Sequence, residues 1–175
     1  MSILAQINDL CTQGRLCQLL PSYPRGAQRR FLYVSVEINN RLSIGPWVTR
    51  KQEIRWGRLR ADLEKFIESN RIQVPSDSRR ARAAYMGRLQ PDDDEVWDIR
   101  SRDPSPGMRV FGRFAAKDLF VGLTWAERPP LGAFQSEEFK RAIRQCKTDW
   151  ANLFHPYSPL RGRYPHDYIT NAYVL

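Results

Sequence analysis

The chain has 175 residues, 42% hydrophobic and 11% aromatic, with 28 basic against 19 acidic side chains for a formal net charge of +9. That length suits one compact domain, and that apolar content excludes a disordered chain and a need for disulfides or metals to build a core. Cys11, Cys17 and Cys146 are too few and scattered for a disulfide framework, and no Cys-x-x-Cys or His-rich spacing marks a zinc site, so no metal is expected. The first residues lack the basic and apolar regions of a signal peptide, and no run of about 18 apolar residues suits a membrane helix. A cytoplasmic protein with no membrane partner is the expectation. The basic side chains are 23 Arg and 5 Lys. Arg presents a planar fork that binds phosphate bidentately and stacks on bases, so the bias suits a nucleic acid; a GC-rich coding sequence produces the same bias without one.

Residues 2–20 space Ile3, Ile7, Leu10, Leu16, Leu19 and Leu20 as one or two short amphipathic helices, with Gly14 a break and Pro21–Gly26 a stop. Phe31–Ile38 alternates and is rich in β-branched and aromatic residues, predicting a strand that Asn39-Asn40 closes. From Val48 to Ile72 one stripe holds Ile54, Leu59, Leu63, Phe66 and Ile67, as a long or broken helix requires. Pro75-Ser76-Asp77-Ser78 reads as the start of a second helix running through RRARAAYMGRL. The run Asp92-Asp93-Asp94-Glu95 reads as a solvated turn.

Three strand candidates follow, Val96–Arg102, Met108–Ala115 and Leu119–Trp125, joined by turns short enough to demand an antiparallel meander. Alternation puts Arg109, Phe111 and Arg113 on one face of the second strand and Val110, Gly112 and Phe114 on the other. Trp125 to Phe134, with Pro129-Pro130 and Gly132, is expected to be a loop. From Ser136 a helix sets Phe139, Ile143, Cys146, Trp150 and Leu153 on a core stripe. Residues 155–175, with three Pro, four Tyr, His155 and His166, read as an irregular wrap.

The segments YMGRLQPDDDEVWDIRSRDPSPGMRVFGRF and KDLFVGLTWAERPPL resemble the central part of the RelE/HigB-type toxins of bacterial and phage toxin–antitoxin modules. The elements that carry the likeness are Gly87 and Leu89 before the acidic turn, Trp97-Asp98-Ile99-Arg100, Arg109-Val110-Phe111, and Phe120-Val121-Gly122-Leu123 leading to Arg128, within residues 85–131. The resemblance implies an α+β fold, a small antiparallel sheet of four to five strands with helices packed on one face and a basic groove on the other. It divides a single domain of residues 1–175 into a helical N-terminal extension (1–30), an α+β core (31–154) and an irregular tail (155–175).

In function, the resemblance implies a factor that binds mRNA in the ribosome, inhibits translation and cuts the message by metal-independent attack of a ribose 2′-hydroxyl on the adjacent phosphate, without a cofactor. It also implies a cognate acidic antitoxin. By position Arg109 is the phosphate-holding Arg, with Arg100 and Arg128 the basic residues after the first and third meander strands. The expected catalytic set is Arg109, Arg128 and a proton carrier in the tail: His155, His166 or a Tyr. The expected RNA-binding set is Arg100, Arg109, Arg113 and Arg128, with Trp97 or Trp125 stacking on a base. The chain departs from the family at Asp98, where several members carry Lys, and at Glu127-Arg128, where many carry a Lys pair. Arg stays protonated and is a poor proton shuttle, so these arginines suit phosphate holding more than proton transfer. The alternative on the same scaffold is a non-catalytic protein inhibitor, encoded by a phage or mobile element, that binds a host nucleic-acid enzyme. No helix-turn-helix pair, Gly-rich phosphate loop, nucleophile elbow or paired-carboxylate site supports a DNA-binding regulator, nucleotide hydrolysis, or acyl or glycosyl transfer.

Overall fold

The structure, a computed structural model, describes residues 2–22, 30–43, 49–68, 71–76, 84–128 and 136–175. Helix α1 (Ile3–Thr12) ends before Gly14, whose φ of 68° is the left-handed turn glycine adopts without a Cβ penalty. The chain reverses into β1 (Leu16–Gln18), which pairs antiparallel with β2 (Phe31–Ser35). The expected helix over Leu16–Gln18 is therefore a strand.

The strand expected to reach Ile38 stops at Ser35. There the Ser35 hydroxyl accepts from Ile38 N at 3.4 Å, and α2 (Val36–Ser43) buries Ile38 and Leu42 one turn apart. Thr49 caps α3 (Arg50–Ile67), which buries Trp56, Leu59, Leu63, Phe66 and Ile67. Then come β3 (Ile72–Val74) and β4 (Met86–Arg88); the latter corrects the C-terminal part of the expected second helix, because Met86–Arg88 ladders with the next strand. Residues 77–83 of that helix, 23–26 of the first stop, 44–48 ahead of α3 and 129–134 of the expected loop lie outside the described residues.

The meander forms as expected, from β5 (Trp97–Ser101), β6 (Met108–Ala116) and β7 (Leu119–Glu127). Ser136 caps α4 (Glu137–Phe154), which buries Phe139, Ile143, Cys146, Trp150 and Phe154. The tail is more regular than expected, with α5 (Pro165–Tyr168) and β8 (Ala172–Val174) paired parallel to β3.

The main sheet has six strands in the order β1-β2-β7-β6-β5-β4 and is mixed, since β2 runs parallel to β7. This corrects the expectation of a purely antiparallel sheet of four to five strands, while the α+β class holds. The reason is non-local: turn lengths specify neighbours in a meander, whereas Phe31 meets Leu119 across about half of the chain. Both faces are covered, which corrects the one-sided packing. On one, α2, α3, β3, β8 and α5 bury Leu32, Val34, Val110, Phe114 and Phe120; on the other, α1 and α4 bury Phe111, Val121 and Leu123.

Candidate nucleic-acid interface

Antiparallel register sets Arg100 of β5 directly opposite Arg109 of β6. Like charges facing each other across a ladder repel unless an anion lies between them. Asp98, two residues before Arg100 and so on the same face, supplies it. Its side chain is fully buried, and its carboxylate accepts Arg100 Nε at 3.0 and 3.1 Å, Arg100 Nη2 at 2.9 Å, and Arg109 Nη1. The Arg100 and Arg109 side chains are only 7% and 13% exposed.

Arg109 also lies 5.4 Å from the centre of the Phe139 ring at the start of α4. Burial pulls its pKa below the usual arginine value, and the neighbouring charges of Arg100 and Arg128 add to that, while Asp98 opposes it. Arg128 is exposed just past β7, and its N–H donates to Gly107 O at 2.7 Å across the β5–β6 turn. Arg109 thus has two cations close by, Arg100 and Arg128, and shares the Asp98 carboxylate with Arg100.

Arg113 shares the face of Arg109 but not its cluster. Four residues further along the strand, about 13 Å, it donates to Asp94 O and lies 5.5 Å from the Trp150 ring centre. There it ties the 3-10 turn Asp92–Asp94 to α4, helped by the ion pair of Lys147 with Asp94. The acidic run is accordingly not wholly solvated: Asp92 and Asp93 are exposed, but Glu95 is buried and pairs with Arg88 at 2.6 Å.

The two tryptophans expected to stack on bases lie on the opposite face of the sheet from the arginines. Trp97 is 2% exposed and packs edge-on against Phe114, with ring centres 5.4 Å apart. Trp125 is half-buried against Trp56 at 4.8 Å, donates to Glu37 Oε1 at 2.9 Å, and carries Arg41 over its ring. Neither makes a joint surface with Arg100 and Arg109. His155 caps the C-terminal end of α4, whereas Arg109 touches its first turn at Phe139. Sixteen residues of α-helix separate them by about 24 Å, so Arg109, Arg128 and His155 do not assemble. His166 is exposed on α5.

Among the described residues, the second face is covered by α1 and α4 where an open groove was expected. Sequence reasoning noticed Asp98 only as a departure from a family pattern. Its signal was the i, i+2 spacing to Arg100, which in a strand means the same face. Gly87 was singled out only as an element of the family likeness, not for its packing: a Cβ there would lie 2.6 Å from Arg100 Nη2, so the glycine makes room for the guanidinium.

A scan against protein-family models, curated proteins and solved structures finds no match for the chain.

Proposed function

We propose that the protein is an RNA-directed factor of the RelE/HigB toxin type that acts by holding RNA phosphates, with Arg100, Arg109 and Arg128 as the phosphate-binding group. The observation that carries this reading is the Asp98 carboxylate fixing two arginines side by side, with a third cation, Arg128, close to Arg109. A guanidinium held by a buried carboxylate has lost its rotamer freedom before the anion arrives, which lowers the cost of binding. The excess of 28 basic over 19 acidic residues would draw a polyanion to the surface. Holding is favoured over cutting because 2′-hydroxyl attack needs a group that takes up and returns a proton. Among the described residues, the groups shown around Arg109 are guanidiniums and the Asp98 carboxylate, which is committed to Arg100 and Arg109.

The test is fluorescence anisotropy of a labelled single-stranded RNA across a salt series, with translation of a defined message in parallel. Binding should weaken steeply with salt, with a slope of about 0.7 per phosphate contacted. Arg109→Ala should bind roughly three- to tenfold more weakly at low salt and lower that slope by about one contact. Wild-type protein should inhibit translation and leave the message intact. Discrete cleavage lost in Arg109→Ala would replace holding with catalysis. No RNA binding in about 50 mM salt would overturn the reading, since electrostatic contacts are strong there.

A further inference from the structure

Helix α4 lies along β6, with Phe139 of its first turn against Arg109 and Trp150, three turns further on, against Arg113. The outer face it turns to solvent is uneven. Its half nearer Arg109 exposes Lys140, Arg141 and Arg144 besides Glu137 and Glu138, whereas the far half exposes Gln145, Thr148, Ala151 and Asn152. A face that served only to keep the helix in water would have no reason to gather its cations at one end.

The spacing within this group works against the helix. Arg144 has Lys140 four residues before it, Arg141 three before it and Lys147 three after it, so three of its neighbours on the helix surface carry its own sign. Like charges at these spacings destabilise an α-helix. Two acids soften the repulsion without removing it. Glu137 pairs with Lys140 at 2.9 Å and Asp94 pairs with Lys147, and both lysines stay open to solvent, 52% and 43% exposed. Among the described residues Arg144 is in no ion pair; the charge of Glu137 reaches it from seven residues away. The arrangement repeats on a helix what Arg100 and Arg109 show on the sheet, cations set side by side at a cost that an anion relieves.

The two groups are also neighbours. Arg109 touches Phe139, and from Phe139 to Arg144 is five residues, about 8 Å along the helix. The pair held by Asp98 is largely buried, so a strand of RNA needs further cations that solvent reaches, and the outer face of α4 supplies them where Arg109 ends. We infer that the outer face of α4 around Arg144, with Lys140 and Arg141, is a second phosphate-binding surface, crossed by an RNA strand as it leaves Arg109. Phosphates lying among these cations would replace their repulsion with attraction and release the counterions of the strand. The Lys140–Glu137 pair is exposed and therefore weakly held, which leaves the lysine free to change partner. The inference rests on the RNA reading above and extends it from one phosphate site to a path.

The test measures binding of an oligouridylate decamer to Arg144→Glu, with Lys117→Glu as the control for net charge, since Lys117 is exposed in the β6–β7 turn roughly 26 Å along the strand from Arg109. Arg144→Glu should bind about tenfold more weakly at low salt and lower the salt slope by about 0.7, whereas Lys117→Glu should stay near wild type. The same Arg144→Glu variant should melt about 2 °C higher than wild type, because three repulsive spacings become attractive, so its weaker binding is not a loss of fold. Equal binding by Arg144→Glu and Lys117→Glu would overturn the α4 surface, and phosphate holding would stand if Arg109→Ala still binds more weakly. Binding weakened in Arg144→Glu but unchanged in Arg109→Ala would keep the α4 surface and overturn the site at Arg109. No binding of the decamer by the wild-type protein in about 50 mM salt would overturn both.

Discussion

Glu95 is a carboxylate enclosed by the fold, with φ of 53° at the end of the 3-10 turn and its two oxygens taken by Arg88 and Tyr168. Burial pushes its carboxyl above the ordinary value, outweighing the bond from Tyr168 and the charge of Arg88. A carboxyl raised in the folded state binds its proton more tightly there than in the unfolded chain. Its contribution to stability is therefore full below the unfolded value, about 4.3, and is lost as pH rises through the folded one. Comparing thermal midpoints at pH 7 and pH 5, the difference between wild type and Glu95→Gln should move in favour of wild type on acidification. A difference that stays constant or moves the other way would contradict the assignment. Glu64 does not obscure this window: although burial opposes it, bonds from Ser22 and Arg60 hold its carboxyl low, so its effect falls in stronger acid. At this scale the sequence made Arg100 and Arg109 legible, because period-two alternation is a backbone property. Spacing puts Asp98 on the face of Arg100, but that it also meets Arg109, and that Glu95 meets Arg88, depends on which strands lie side by side, and so those roles were not.

Two glycines of different elements separate packing from propensity. Gly112 sits in β6 at a register shift, where a Cβ would lie 2.1 Å from Val121 O and 2.6 Å from Phe120 Cζ. The backbone oxygen cannot rotate away, so Gly112→Ala should destabilise by roughly 3 kcal/mol, at the upper end of overpacking costs. Gly57 lies on the exposed side of α3 with nothing within 4 Å of its Cβ position. Gly57→Ala should stabilise by about 0.5–1 kcal/mol, the difference in helix propensity. Urea midpoints of the two variants should fall on opposite sides of wild type. The elements that periodicity found were the long ones: α3, α4 and the three meander strands. Among the elements it missed, β1, β3, β4 and β8 span three residues each, α5 four and α2 eight. A window that short holds too few repeats to tell a period of 2 from one of 3.6, and their type is set by the ladder or cap they join.

At the scale of the whole molecule, the layering escaped the sequence for a similar reason. A helical N-terminal extension reads as an addition to a core, yet α1 contributes Ile7 and Leu10 to the layer that α4 builds over the second face. Which face an amphipathic stripe covers depends on where the chain enters the sheet, and periodicity carries no information on that. The tail is likewise built in: the Asp118 carboxylate accepts from Thr170 N and Oγ1, and Leu175 N donates to Val74 O.

The pairing of β2 with β7 has a consequence for the order of assembly. Phe31 and Leu119 are 88 positions apart, whereas β6 and β7 meet across a two-residue turn. Loop closure makes distant contacts late and slow, so the hairpin should be formed when the barrier is crossed and the β2–β7 seam should close afterwards. Val110→Ala in β6 should then slow folding, while Val34→Ala in β2 should chiefly speed unfolding, a contrast that stopped-flow chevrons resolve. During synthesis from the N-terminus, β1, β2, α2 and α3 wait without a seam partner until residues 119–122 leave the ribosome. Until then the buried side chains Leu32 and Val34 have no sheet to enter, and this span of the nascent chain is the one most open to a chaperone.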